Sequence, residues 1–483
     1  MKTGLRQIAV LMVALLFTVR SFAGGGEGYE IKVKLSEFKN DTLLLGYYMA
    51  DKQYIRDTAI LDKASGFFTF KGVKNLPSGV YMLVLPPKNE FIQLMVSETE
   101  QHFTLTTKDA DITKGYKIAN GPENEVFFKY IGFIADKKKA AEGFKAEKDK
   151  DSTKAEVVKK KLDGLDKEVK DYQWDIVKKY PGTTLAVLLK STMEIDAPSF
   201  DIKNKDTLQL ANYLYYKEHW FDNFDMASPA MLRTPVLFQR IDYYISKLTS
   251  PHPDSISESL DRILKLVKPS KETFQYYYVH YLNEYAKNTI VGYDAVYVHL
   301  AQKYIPLGVT DSFIDKEQRE KIIKDASAIE PTLIGRIGAN LRMFRQDSSV
   351  INLYDVKSKY TVLYFWAPDC SHCKKSIPHV VDFYKKWKSK GVEIFCVCNQ
   401  PIGTVQSCWD SIKVRDMGNW INVVDPYELS RYRGAYRVLT TPKVYILDEK
   451  KMIISKDIGS EQLDDLMNRI VEEDGKKKVK SEK

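Results

Sequence analysis

At 483 residues the chain is too long for one ordinary hydrophobic core, and two or three domains are expected. A hydrophobic fraction of 44%, an aromatic fraction of 12% and a charged fraction of 28% exclude a disordered chain and suit a soluble surface around several cores. The formal charge of +9 is modest, and lysines spread through mixed-sign stretches such as KAEKDKDSTKAEVVKKKLDGLDKEVKD make a solvated face, not a nucleic-acid groove.

Residues 1–23 read as a signal peptide. Lys2 and Arg6 precede the apolar run IAVLMVALLF, and Ser21-Phe22-Ala23 supplies small residues before a cut after Ala23. The alternative, a signal anchor, has only a short apolar run to span with. Loss of Lys2, Arg6 and Arg20 leaves a charge of 9 − 3 = +6. No later stretch is apolar and long enough to cross a bilayer, so the expected location is the periplasm, where disulfides persist.

From 24 to 122, short runs such as YEIKVKL, TLLLGYYM, GVYMLVL, FIQLMV and HFTLTT alternate apolar and polar residues between turn formers. This predicts antiparallel strands in a small β-sandwich or barrel. Residues 123–330 change to helical periodicity, with Phe127, Phe128, Ile131 and Ile134 on one face and Val158, Leu162, Leu165 and Val169 on another. His280, His299 and the tyrosines at 276, 277, 278 and 281 read as core and rim of this helical domain.

Residues 331–475 alternate strands and helices, which predicts an α/β domain around a mainly parallel sheet. YTVLYFW has the apolar continuity of a strand buried on both faces, and GVEIFCVCN, NWINVVD, KVYILDE and MIISKDI follow as further strands. Helices are expected after the cysteine pair, over TVQSCWDSIKV, over ELSRYRGAY and from Glu461 to about Glu472. Residues 476–483 form a basic tail, expected to fray.

Within this last zone stands FWAPDCSHCKKSIP, from Phe365 to Pro378. Its Cys370-x-x-Cys373 falls where a buried strand passes into a helix. Cys370 then sits at the helix N-terminus, where unpaired N–H groups and the macrodipole favour thiolate, and Cys373 lies one turn on, partly covered. The two sulfurs can close and reopen a small ring, so Cys370 can attack a disulfide and Cys373 can resolve the product. His372 beside them favours the thiolate further and shifts the pair in the oxidising direction, unless it is only a solvated turn residue.

Phe365-Trp366-Ala367, the cysteine pair, Pro378 and Thr441-Pro442 before the strand KVYILD together resemble the thioredoxin-like family, in its TlpA/ResA-like branch. The resemblance covers about the last 150 residues. The zones ahead of it resemble, more loosely, uncharacterised β-rich and helical domains of secreted bacterial proteins. The resemblance implies a thiol-disulfide oxidoreductase without a cofactor, acting on disulfide- or thiol-containing exported proteins together with a redox donor or acceptor protein. It makes Pro442 a cis-proline facing the disulfide, gives Thr441 a backbone role toward substrate, and sets Trp366 beneath the active-site loop. Two departures stand out. Tyr364 occupies the place of the buried aspartate of thioredoxin, and Ser376 that of a glutamate common in the TlpA/ResA branch. Proton transfer at Cys373 is then left to water, His372 or a side chain such as Glu393.

Other readings are weaker. A peroxidase of the peroxiredoxin type needs Pro and Thr where Leu363 and Ala367 stand. A tetrahedral metal site would draw on Cys370, His372, Cys373, Cys396 and Cys398, but a second C-x-x-C is missing. Cys396 and Cys398 share a strand face and read as small apolar packing, Cys408 as helix-to-sheet packing, and the odd total leaves at least one free thiol. The rival from another class is an envelope binding or scaffold protein whose cysteine pair is only a structural clip.

Overall fold

A computed structural model describes residues 28–481 except 109 and 114, and the expected signal peptide at 1–23 lies outside them. Its chain forms two compact units, one of residues 28–251 with 258–277, the other of 252–257 with residues from 278 onward. Among the described residues no helix is long and apolar enough to cross a membrane.

The first unit begins with eight strands: β1 (Tyr29–Leu35), β2 (Thr42–Met49), β3 (Lys52–Ile60), β4 (Phe68–Gly72), β5 (Gly79–Leu85), β6 (Glu90–Val96), β7 (His102–Thr107) and β8 (Lys117–Ala119). They make two four-stranded sheets, ordered β4-β1-β7-β8 and β3-β2-β5-β6. Alternation in YEIKVKL buries Tyr29, Ile31, Val33 and Leu35, which join Leu43 and Leu45 of the other sheet in one core. Period-two burial shared between two sheets is what makes a sandwich. Two details depart from the expectation. β1 runs parallel to β7, so the sandwich is not wholly antiparallel. β3, in turn, is exposed along nearly its whole length and therefore lacks an alternating signature.

Helices follow: α1 (Pro122–Lys150), α2 (Ala155–Lys179), α3 (Thr184–Thr192), α4 (Lys205–His219), α5 (Pro235–Lys247), α6 (Pro253–Val267), α7 (Lys271–Lys287), α8 (Asp294–Tyr304) and α9 (Lys316–Ile329). The start of α1 is capped from outside. Gly121 offers no side chain, and the buried Glu100 carboxylate accepts the free N–H groups of Glu123 (2.7 Å) and Asn124 (3.2 Å). Glu123 does the same for α3, accepting from Leu185 N–H at 2.7 Å, and its burial raises its pKa. Tyr277, Tyr278 and Tyr281 are core residues, and His280 and His299 are half-buried.

The second unit carries the remaining strands, β9 (Arg342–Phe344), β10 (Val350–Asn352), β11 (Tyr360–Trp366), β12 (Val392–Cys398), β13 (Ile421–Val424), β14 (Lys443–Asp448) and β15 (Ile453–Lys456). Between and after them come α10 (Ser371–Trp387), α11 (Gln406–Val414), α12 (Tyr432–Ala435) and α13 (Leu463–Ser481). The sheet order is β10-β9-β13-β12-β11-β14-β15. Only β11–β12 and β12–β13 pair in parallel, while β14 and the outer strands pair antiparallel, so the sheet is mixed where a mainly parallel one was expected. All seven residues of β11 are buried. Val362, Tyr364 and Trp366 face the core beneath α10, and Leu363 and Phe365 face the core on the other side.

Two helices differ from expectation. ELSRYRGAY yields only the four residues of α12, because the Asp425 carboxylate captures Leu429 and Ser430 N–H at 3.0 and 2.8 Å, and Glu428 and Arg431 turn left-handed. Helix α13 continues to Ser481 through the tail expected to fray, since lysine and glutamate are good helix formers.

Candidate active site

The central strand β11 ends at Trp366, and Ala367-Pro368-Asp369 carries the chain to Cys370, the N-cap of α10. Cys370 and Cys373 form a disulfide with Cα atoms 5.2 Å apart. They differ in access: Cys373 is fully buried, whereas Cys370 is half-exposed. The Cys373 N–H points at Cys370 Sγ from 3.0 Å, so a thiolate formed at Cys370 would be met by a backbone donor at the positive end of the helix.

Across from the disulfide, Thr441-Pro442 is a cis peptide, and the Thr441 carbonyl oxygen lies 3.2 Å from Cys370 Sγ. Trp366 is buried in the core that holds Cys373 and Cys396. His372 is exposed. A cleft of about 670 Å³ opens beside the disulfide, with His372, Lys375 and His379 of α10 on one wall and Thr441, Pro442 and Glu461 on the other. Tyr364 and Ser376 form part of its lining.

These last two are bonded to each other. Ser376 O–H donates to the Cys373 carbonyl at 3.1 Å, which leaves Tyr364 O–H to donate to Ser376 Oγ at 2.6 Å. Burial raises the Tyr364 pKa and keeps the hydroxyl protonated. Glu393, weighed from the sequence as a proton carrier, pairs in register with Thr361 near the opposite end of β11 and accepts from Tyr384 O–H at 2.6 Å. It is therefore removed from the site.

Two of the remaining cysteines, Cys398 and Cys408, correct their reading as packing residues, while Cys396 keeps it. Cys398, at the end of β12, and Cys408, in α11, form a second disulfide with Cα atoms 6.2 Å apart, and only Cys396 is free and buried. Burial raises the Cys396 pKa and keeps it a thiol. With four cysteines in disulfides, the metal-ligand set weighed from the sequence does not assemble. The available signal was positional: a cysteine at each end of one strand-to-helix connection. That connection also reaches the active-site loop, since Asn399 N–H donates to Trp366 O (2.7 Å) and Gln400 Nε2 to Asp369 Oδ1 (3.1 Å).

Three families match successive parts of the chain: the domain of unknown function DUF4369 at residues 29–127, the domain of unknown function DUF5106 at 158–330, and the AhpC/TSA family at 334–456. Thiol-disulfide oxidoreductase ResA of Bacillus anthracis is 26% identical over 147 residues, covering 29% of this chain and 80% of that protein. ResA of Bacillus subtilis is 47% identical over 47 residues, covering 10% of this chain and 26% of that protein. Among solved structures, a domain of a possible thiol-disulfide isomerase from Cytophaga hutchinsonii is 31% identical, with a TM-score of 0.28, 31% of this chain and 97% of that one being covered.

Proposed function

Because the C-terminal domain is a thioredoxin-like domain of the AhpC/TSA family and a thiol-disulfide oxidoreductase related to ResA, we propose that the chain exchanges disulfides with exported proteins in the periplasm through its Cys-Ser-His-Cys pair. The observation that carries this reading is the unequal access of the two sulfurs: the reachable one caps a helix and faces the cis-proline loop, and the other is buried behind it.

In the reduced protein, Cys370 thiolate attacks a client disulfide, forming a mixed disulfide and expelling one client thiolate. Cys373 then attacks Cys370 Sγ, which expels the second client thiolate and closes the ring; its proton goes to water or His372, since Tyr364 and Ser376 hold theirs in hydrogen bonds. Two electrons pass from the pair to the client. In the oxidised form the steps reverse: a client thiolate attacks Cys370 and the client leaves as a disulfide. A dithiol or disulfide protein must restore the starting state. Trp366, His372, Thr441 and Pro442 surround Cys370 as positioning and tuning residues. The reaction is assigned to the domain expected at 331–475, with the segments at 24–122, 123–330 and 476–483 taking no part in the exchange steps.

Trapping tests this reading. Cys373→Ser should accumulate mixed disulfides through Cys370 when mixed with periplasmic extract, and Cys370→Ser/Cys373→Ser should not. If no adduct forms and the wild-type pair resists dithiothreitol, the clip of a scaffold protein is the better account. Equilibration against glutathione then assigns the direction of exchange, with the His372 reading expecting a more oxidising potential than a pair spaced by Gly-Pro.

A further inference from the structure

We infer that the cleft beside the disulfide selects client segments that carry carboxylates close to the reactive cysteine, and that His372, Lys375 and His379 read them. The inference rests on the exchange reaction proposed above and adds a substrate class to it.

The three side chains stand at i, i+3 and i+7 on α10, so they share one helix face, and all three are exposed and line the cleft. None of them has a hydrogen-bonding or ionic partner among the described residues, so the Lys375 ammonium and the N–H donors of the two imidazoles face whatever enters. The opposite wall carries one free counter-charge, set across the cleft from α10. Lys443 and Asp457 pair with each other, and Glu461 lies folded against Gly459, filling the place a Cβ would take there. Glu461 is thus the one carboxylate of that wall outside an ion pair among the described residues, so an incoming acid is favoured only where it lies against α10, away from Glu461.

Length narrows the ligand. Seven residues of helix rise about 10 Å, which an extended segment covers in about three residues. The favoured client therefore has Asp or Glu within about three positions of its cysteine. Exposed pairs of this kind are individually weak, and each should change the reaction rate by up to about fivefold.

The test uses the full chain carrying Cys373→Ser, so that only the Cys370 reaction is read. Three synthetic peptides hold one cysteine as a disulfide with thionitrobenzoate and are flanked at two positions by Glu, Gln or Lys. Attack of Cys370 on the peptide sulfur releases the chromophore. The Glu peptide should react two- to fivefold faster than the Gln peptide, the Lys peptide slowest, and the order should flatten in 0.5 M salt. Adding Lys375→Glu and His379→Glu should invert it. Equal rates for the three peptides, or a Lys peptide that leads, overturn the inference and leave the exchange reaction standing. If none of the peptides reacts, the exchange reading itself falls.

Discussion

The Tyr364 hydroxyl lies 2.6 Å from Ser376 Oγ, so the two residues that stand where relatives of this fold keep acidic groups are hydrogen-bonded to each other. Both protons are spent in a chain that ends on the Cys373 carbonyl. The pair closes the wall behind the buried sulfur as a neutral structure, and it supplies no carboxylate to move a proton.

Tyr364→Phe should therefore cost about 0.5–1.5 kcal/mol of stability, the range for one buried hydrogen bond, read from urea unfolding. The pH profile of exchange should not move, because the tyrosine is held protonated. A displaced profile would make Tyr364 a participant in proton transfer and sink the structural reading.

Cys398→Ala/Cys408→Ala opens a loop that spans a sequence separation of 10. Chain-entropy arguments put the cost near 3 kcal/mol, measured as a lower urea midpoint under non-reducing conditions. An unchanged midpoint would mean that this disulfide does not constrain the unfolded chain.

Thiol titration offers a direct count. Cys396 is the free cysteine of five, it is buried, and burial opposes its thiolate. The oxidised native protein should show no reactive thiol toward dithionitrobenzoate at pH 8, and one after unfolding in guanidinium. Two or more thiols on unfolding would contradict the Cys398–Cys408 pairing.

Glu123 gives a pH effect of fixed sign. Burial raises its folded pKa, so the native state holds the proton longer than the unfolded chain does. Its contribution to stability is full below the unfolded pKa and is lost as pH rises through the folded one. Glu123→Gln keeps an acceptor for Leu185 N–H and removes the titration. Its unfolding free energy relative to wild type should improve as pH rises past the unfolded carboxylate pKa and level off above the raised folded one. A difference that does not change with pH above the unfolded carboxylate pKa would count against the burial argument.

Much of the fold was legible because burial writes period and run length into the chain. YEIKVKL alternates since one face is core, and YTVLYFW is continuous since both faces are. The cysteine pair was legible for the same reason, as its place follows from the end of that buried strand. What was not legible depends on partners far away in sequence. Nothing local says that β1 runs parallel to β7, or that β14 reverses against β11. Glu393 looked available until register set it opposite Thr361. Tyr364 and Ser376 stood out singly as departures, but their bond across 12 positions needs strand β11 and helix α10 packed together.

The second disulfide also bears on how the protein itself is made. Cys396, Cys398 and Cys408 lie within one short stretch of chain, and three pairings compete as it oxidises. Only Cys398–Cys408 joins the end of β12 to α11 and leaves the interior thiol at Cys396. A wrong choice would misplace the connection that holds Trp366 and Asp369 next to the active disulfide. A chain that pairs Cys396 instead would enter the folded state without this cross-link, so the redox conditions of its first folding bear on which molecules gain it.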